Sequence, residues 1–69
     1  MDIRRRFGAR LKTLREAQGL SQEELAHRCD LHRTYVSGIE RGVRNPTLTV
    51  LEKLAIGLSV PISNLTSME

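Results

Sequence analysis

Residues 22–41, QEELAHRCDLHRTYVSGIER, constrain the fold more than any other stretch, because they predict two short helices joined by a tight turn. Ala26 is small at the point where the second helix would cross the first, so the two backbones can approach closely. Leu31, Val36 and Ile39 are apolar, and the last two recur at helical spacing. All three are therefore predicted to point into a core, which is the arrangement of a helix-turn-helix.

The second helix of this stretch, predicted over residues 33–41, has a packed face and a polar face. At about 100° per residue, Val36 and Ile39 lie on one side together with Glu40. The opposite side is polar, basic or small, with Tyr35 at its border, and consists of Arg33, Thr34, Ser37, Gly38 and Arg41. Because a helix-turn-helix carries its second helix into the major groove of DNA, this side is predicted to meet nucleobases.

Capping residues and glycines predict further helices on both sides, and hence an all-α domain of five helices. Ser21 opens a capping box at the start of the second helix, and Thr47 caps the fourth. Gly19 supplies a left-handed stop after the first helix, which is predicted over residues 3–18. A short fifth helix is predicted around residues 62–66. The apolar stripes expected to fill the core are Ile3, Phe7, Leu11 and Leu14 in helix 1 and Leu48, Leu51, Leu54, Ala55 and Leu58 in helix 4.

The length of 69 residues suffices for a single domain, 1–69, with a small core. One cysteine allows no intramolecular disulfide, which favours a reducing cytoplasm. The sequence contains no apolar run of membrane-spanning length, and its N-terminus lacks the apolar region of a signal peptide. We therefore expect a cytoplasmic protein without membrane contact.

Positive charge is concentrated at the front of the chain, although the formal net charge is only +3. Residues 1–20 contain six lysines and arginines against two acidic residues, whereas residues 46–69 contain one lysine against two acidic residues. This asymmetry predicts a polyanionic partner at one end and a protein partner at the other. A solvated arginine face explains the basic residues equally well. The arginines at positions 4–6, where the helix dipole disfavours positive charge, likewise indicate either phosphate binding or a frayed helix end.

Neither a metal site nor a catalytic site is predicted. His27, Cys29 and His32 suggest zinc ligands, but residues 27 and 29 diverge by about 200° around one helix. A tetrahedral zinc site usually draws its ligands from recurring spacings that are missing here. The sequence also lacks a distinguishable Ser/His/Asp or Cys/His arrangement and a glycine-rich phosphate loop. We therefore expect no enzyme and no cofactor.

Four segments resemble the Cro/phage-repressor type of helix-turn-helix protein, the XRE family, with its five-helix lambda-repressor-like DNA-binding domain. They are LREAQGLSQEELA (14–26), YVSGIERG (35–42), the Asn45-Pro46 pair and LAIGLSV (54–60). More narrowly, LHRTYVSGIERGVRNPT resembles the controller proteins of restriction-modification systems, small dimers that regulate their own operon and the restriction gene. Two residues depart from the family pattern. Asp30 and Ser59 stand where many members have glycine, and Ser59 leaves the entry angle of helix 5 open.

Residues of the helix-turn-helix and of the following loop are assigned to DNA. We expect Arg33 to make a bidentate contact with guanine, because the helix dipole disfavours a cation without a partner at this helix start. We expect Thr34 to contact a thymine methyl or a phosphate. Arg44 resembles a controller-family arginine that reaches a base. Gly38 costs roughly 1 kcal/mol inside a helix, which indicates either close approach of DNA or a tolerated weak position. The predicted base contacts are Arg33, Thr34, Tyr35, Ser37, Gly38 and Arg44, and the predicted phosphate contacts are Gln22, Arg41, Asn45, Thr47 and Arg10.

The resemblance also implies a partly buried ion pair between Arg15 of helix 1 and Glu40 of helix 3. Such a pair need not stabilise a protein relative to apolar residues, yet removal of one partner costs about 3–5 kcal/mol. The pair is therefore expected to tie the first helix to the third.

The apolar C-terminal segment, residues 56–66, predicts a homodimer. Its apolar side chains are too numerous for one small core, and a lone domain makes too few contacts to select one DNA site. The predicted interface consists of Ile56, Val60, Pro61, Ile62, Asn64 and Leu65. The expected function is a transcription regulator that binds a palindromic operator with half-sites about 34 Å apart.

Two other functions fit the same sequence. A phage-type repressor or an antitoxin would use the apolar segment differently, in the latter case to bind a toxin partner. A protein-interaction module would use the fold without DNA, and a steep salt dependence of DNA binding would exclude that function. RNA polymerase is a further candidate partner for a transcription regulator.

Overall fold

The computed structural model describes residues 2–68, which form five α-helices and no strand. The helices are α1 (Ile3–Ala17), α2 (Gln22–Cys29), α3 (Arg33–Glu40), α4 (Leu48–Leu58) and α5 (Ile62–Thr66). The predicted all-α class and the order of the helices are confirmed, and α1 and α3 each end one residue earlier than predicted. Within residues 2–68, none of the helices has the length and apolar character needed to cross a membrane.

The predicted caps determine where α2 and α4 begin. The Ser21 hydroxyl accepts a hydrogen bond from the Glu24 N–H at 3.0 Å, and the Glu24 carboxylate accepts one from the Ser21 N–H at 2.8 Å. These bonds to Ser21 also lower the pKa of Glu24 below its ordinary value. The Thr47 hydroxyl accepts a hydrogen bond from the Val50 N–H at 3.2 Å. Each cap satisfies an N–H group that the helix itself leaves unpaired.

Asp30 and Ser59, the two departures from the family pattern, both adopt the left-handed conformation, with φ of 54° and 58°. Asp30 directs the chain from α2 into α3, and the Leu31 N–H then donates to the Ala26 carbonyl at 2.9 Å. Ser59 does the same between α4 and α5. Aspartate and serine therefore make, with some conformational cost, the left-handed turns for which glycine is the easiest residue.

The core lies where the five helices meet, and most of the predicted apolar positions contribute to it. Its largest fully buried side chains are Leu11, Leu25, Val36, Ile39, Leu54, Leu58 and Leu65. Two predicted core residues are wrong, since Ile3 is 62% exposed and Leu48 is 75% exposed. Both are the first residue of their helix, where the apolar stripe continues beyond the buried part of the helix.

Two buried glycines allow helices to touch through their backbones. A Cβ at Gly8 of α1 would lie 2.5 Å from the Glu40 carbonyl oxygen, so α1 crosses directly over the end of α3. A Cβ at Gly57 of α4 would collide with the Cys29 sulfur of α2. The crossing at Gly8 therefore holds α1 against the backbone of α3, and the crossing at Gly57 holds α4 against α2.

Candidate nucleic-acid interface

The outward face of α3 carries the side chains predicted to read DNA. Val36 and Ile39 are fully buried, whereas Arg33 and Thr34 are exposed in the first helical turn. Ser37 lies one turn further along the helix and is half-buried. The packed face of α3 is as predicted, and the N-terminal turn of the polar face is open to a ligand. Gly38, predicted on the polar face, is instead buried.

The α3–α4 loop folds back onto α3 and places Arg44 beside Tyr35. The Gly38 carbonyl accepts hydrogen bonds from the N–H groups of Val43 at 3.0 Å and of Arg44 at 3.3 Å. The Arg44 guanidinium carbon then lies 5.9 Å from the centroid of the half-buried Tyr35 ring, within cation–π range. Arg44 therefore lies along the side of α3 instead of extending freely into solvent.

Gly38 is buried, and the space beside its Cα contains the side chain of Arg44. A Cβ at this position would lie 2.6 Å from the Arg44 Cγ and 3.4 Å from its Nε. The prediction that DNA approaches the backbone at Gly38 is therefore corrected, because Arg44 occupies this space. The missing side chain makes room for an arginine of the same chain.

The implied ion pair between Arg15 and Glu40 is present. Arg15 Nε donates to Glu40 Oε2 at 2.7 Å and Arg15 Nη2 donates to Glu40 Oε1 at 3.0 Å, a bidentate arrangement. The side chains are only 10% and 3% exposed, respectively. Arg15 Nη1 also donates to the Leu20 carbonyl at 2.7 Å. The hydrogen bond to Glu40 raises the pKa of Arg15 above its ordinary value, so the guanidinium stays charged.

Gln22, predicted to contact a phosphate, has a structural contact that the sequence did not indicate. Its side-chain Nε2 donates to Glu40 Oε1 at 3.0 Å, and the residue is half-buried. Glu40 thus joins α1, α2 and α3. The phosphate contact of Gln22 stays a prediction, but part of its amide is already occupied within the protein.

The other predicted phosphate contacts fall into two groups. Three of them are exposed around the α3–α4 loop, next to the polar face of α3: Arg41, Asn45 and Thr47. Arg10 is elsewhere, because its Nε donates to the Asn64 carbonyl of α5 at 2.9 Å. The phosphate contact of Arg10 stays a prediction, but its Nε is already occupied within the protein. The fold brings α5 across α1, and this arginine holds the two helices together.

The predicted dimer interface contains one error. Leu65 is 0% exposed and belongs to the core of the single chain, since α5 packs its only buried residue against α1 and α4. Val60 is partly buried against the same core. The remaining predicted residues are exposed, with exposed fractions of 70% for Ile56 and 38% for Ile62, and Pro61 and Asn64 accompany them.

Within residues 2–68, no three histidine, cysteine or acidic side chains cluster as metal ligands would. Cys29 is buried in the core, and desolvation raises the pKa of its thiol above the ordinary value. His27 lies on the exposed side of α2. The predicted divergence of positions 27 and 29 around α2 is confirmed.

Comparison with known proteins shows similarity along nearly the whole chain. A family model described as "Helix-turn-helix" (HTH_3) matches residues 11–65. Control protein C.MunI of Mycoplasma sp is 52% identical over 67 residues, which are 96% of this chain and 90% of that protein. Control protein C.BamHI of Bacillus amyloliquefaciens is 48% identical over 60 residues, 86% of this chain and 74% of that protein.

A solved structure is similar as well. The restriction-modification controller protein C.AhdI from Aeromonas hydrophila superimposes with a TM-score of 0.89 at 48% identity, and the match covers 90% of this chain and 94% of that one. The arrangement of five helices, with α3 presented outward, is therefore shared with a controller protein of known structure.

Proposed function

The chain belongs to the helix-turn-helix family of DNA-binding transcription regulators, and from this premise we propose that it binds an approximately palindromic operator as a homodimer. We further propose that this operator controls a restriction-modification operon that includes the gene of the protein itself. The resemblance to the controller proteins C.MunI and C.BamHI supports this assignment.

The polar face of α3 is the observation that carries the proposal. Arg33 and Thr34 are exposed in the turn that a helix-turn-helix inserts into the major groove. An arginine there can donate two hydrogen bonds to O6 and N7 of guanine, and a threonine can contact a thymine methyl. Arg44, beside Tyr35, extends this face towards the α3–α4 loop. Side chains of the same helix thus have both the position and the chemistry for base recognition.

Exposed apolar residues near the end of α4 and at the start of α5 support the homodimer. Ile56 near the end of α4 and Ile62 at the start of α5 are exposed, and Pro61 lies between them in the chain. Exposed branched side chains grouped in this way favour burial against a second copy. A two-fold axis through this surface would present two α3 helices to one DNA duplex, and their operator half-sites would be about 34 Å apart.

Selection from random DNA tests the operator. We expect an inverted repeat with half-sites about one helical turn apart, and the same repeat upstream of the protein's own gene. A single unrepeated site, bound by a monomer, would contradict the proposal.

Sedimentation of interface variants tests the dimer. Ile56→Ser should shift the protein towards monomer and weaken operator binding, because it places a polar group in the apolar surface. Leu48→Ser is the matched control for self-association, since Leu48 is equally apolar and 75% exposed but lies at the other end of α4. Equal effects of the two substitutions on self-association would exclude this interface.

A further inference from the structure

The first turn of α1 lies against the segment that follows α3. Gly42, with φ of 78°, ends the third helix, and a Cβ there would lie 2.6 Å from the Arg5 Cγ and 3.0 Å from the Arg5 Cα. Arg4, the preceding residue, lines a shallow groove together with Asn45 and Pro46 of the α3–α4 loop. The arginines at the start of α1 are therefore neighbours of the loop that we propose to hold the DNA backbone.

This contact is held in place by a second one. Gly8, about one helical turn after Arg5, is buried against the backbone carbonyls of Ile39 and Glu40. Two successive turns of α1 thus pack onto the end of α3 through close backbone contacts. The backbone of Arg5 is fixed relative to α3, although its side chain is exposed.

The charges at this junction are only partly compensated. Arg4 forms an ion pair with Asp2 at 2.9 Å, and its hydrogen bonds lower the pKa of that carboxylate to about 2. The guanidinium groups of Arg5 and Arg41 make no ion pair or hydrogen bond within residues 2–68, and both residues are exposed. Arg41 directly precedes Gly42, which contacts Arg5, so the backbones of these two cationic residues are neighbours, and neither side chain has a carboxylate partner within residues 2–68. The α1 dipole adds to the unfavourable charge on Arg5.

We propose that Arg5 and Arg41 together bind one DNA phosphate, which lies outside the bases read by α3. A phosphate between the two guanidinium groups would neutralise both charges, and arginine is suited to bidentate phosphate contacts. The helix-turn-helix footprint would thereby extend to the first turn of α1 and strengthen binding without adding sequence information. This inference rests on the proposed DNA-binding function, and the experiment below separates the two.

The test is the salt dependence of operator binding by the full chain. Arg5→Gln removes the charge and keeps a side-chain stem against Gly42, and Arg5→Lys keeps the charge. Arg28→Gln is the control of equal net charge, because Arg28 is an exposed cation whose backbone lies against Gly57 of α4 instead of the α3–α4 loop. The slope of log Kobs against log salt should become less steep for Arg5→Gln, by up to about 0.9 per bound subunit, because Arg41 still contacts the shared phosphate. It should be nearly unchanged for Arg5→Lys and Arg28→Gln.

The ratio of operator affinity to the affinity for unrelated DNA should be the same for Arg5→Gln and the wild type. An unchanged salt slope for Arg5→Gln, or equal losses for Arg5→Gln and Arg28→Gln, would overturn the phosphate site and leave the proposed regulator intact. Absence of salt-dependent DNA binding by the wild-type protein would instead overturn the proposed function. Thermal unfolding of each variant confirms that the folded state persists. If Arg5→Gln is unstable, Arg41→Gln removes the other cation of the proposed site and should make the salt slope less steep in the same way, and an unchanged slope for that variant would overturn the site.

Discussion

Removal of the Glu40 carboxylate should destabilise the domain severely. In Glu40→Ala, Arg15 loses two of its three hydrogen bonds and keeps only the one to the Leu20 carbonyl, while its side chain stays 90% buried. Gln22 loses its acceptor at the same time. An uncompensated buried charge of this kind costs about 3–5 kcal/mol. A domain of this length has a total stability of roughly 3–10 kcal/mol, so the loss would take much of it.

Thermal and urea unfolding followed by circular dichroism measure this effect. Each kcal/mol lowers the melting temperature of a small domain by about 4–8 °C, so Glu40→Ala should melt at least about 12 °C below the wild type. Arg4→Ala is the matched control, because it breaks an ion pair whose side chains are 45% and 42% exposed. An exposed pair contributes at most about 1 kcal/mol.

A double-mutant cycle with Arg15→Ala decides whether the two side chains act as a pair. The double variant should be more stable than the sum of the two single losses predicts, because it leaves no buried charge unpaired. The coupling free energy should exceed about 1 kcal/mol. A coupling near zero, or a Glu40→Ala variant as stable as Arg4→Ala, would refute the assignment of this pair as the link between α1 and α3.

Three further substitutions test the packing that surrounds the interface. Gly38→Ala should stabilise α3 by up to roughly 1 kcal/mol yet weaken operator binding, because the new methyl displaces Arg44. In an Arg44→Ala background, Gly38→Ala should cause no further loss of affinity in a binding titration. A loss that persists in this background would mean that DNA itself contacts the new methyl. Gly57→Ala should cost about 1–3 kcal/mol of unfolding free energy through its collision with Cys29, and a Cys29→Ala background should relieve most of that cost in urea unfolding. Leu65→Ala should cost about 2–5 kcal/mol as a core truncation, and an unchanged urea midpoint would contradict its place in the core.

Local patterns predicted most of the helical framework. The capping box at Ser21 and the cap at Thr47 involve residues three positions apart, so the sequence contains both partners of each hydrogen bond. The two faces of α3 followed from the period of its apolar residues, and Val36 and Ile39 are indeed buried. The ion pair of Arg15 and Glu40 came from family resemblance, because no local pattern links positions 25 residues apart.

The errors arose where distant parts of the chain meet. Arg10 is 54 residues from its partner Asn64, so the sequence did not indicate the hydrogen bond that joins α1 to α5. Leu65 was assigned to the dimer interface instead of the core, because the space that it fills forms only when α1 and α4 pack together. Gly38 suggested contact with a ligand, and only the return of the loop shows that Arg44 occupies the space beside it. Each of these positions depends on tertiary packing, which periodicity and capping do not specify.

We expect the outward face of α3 to distinguish one base sequence from another, and substitution of Arg33 measures this discrimination. Binding of the wild type, Arg33→Ala and Arg41→Ala should be measured at one salt concentration, on the selected operator and on unrelated DNA. A bidentate arginine–guanine contact contributes about 1–3 kcal/mol of discrimination, so Arg33→Ala should lower the ratio of the two affinities at least about fivefold. Arg41→Ala should weaken both affinities and keep their ratio. A ratio for Arg33→Ala equal to that of the wild type would contradict the claim.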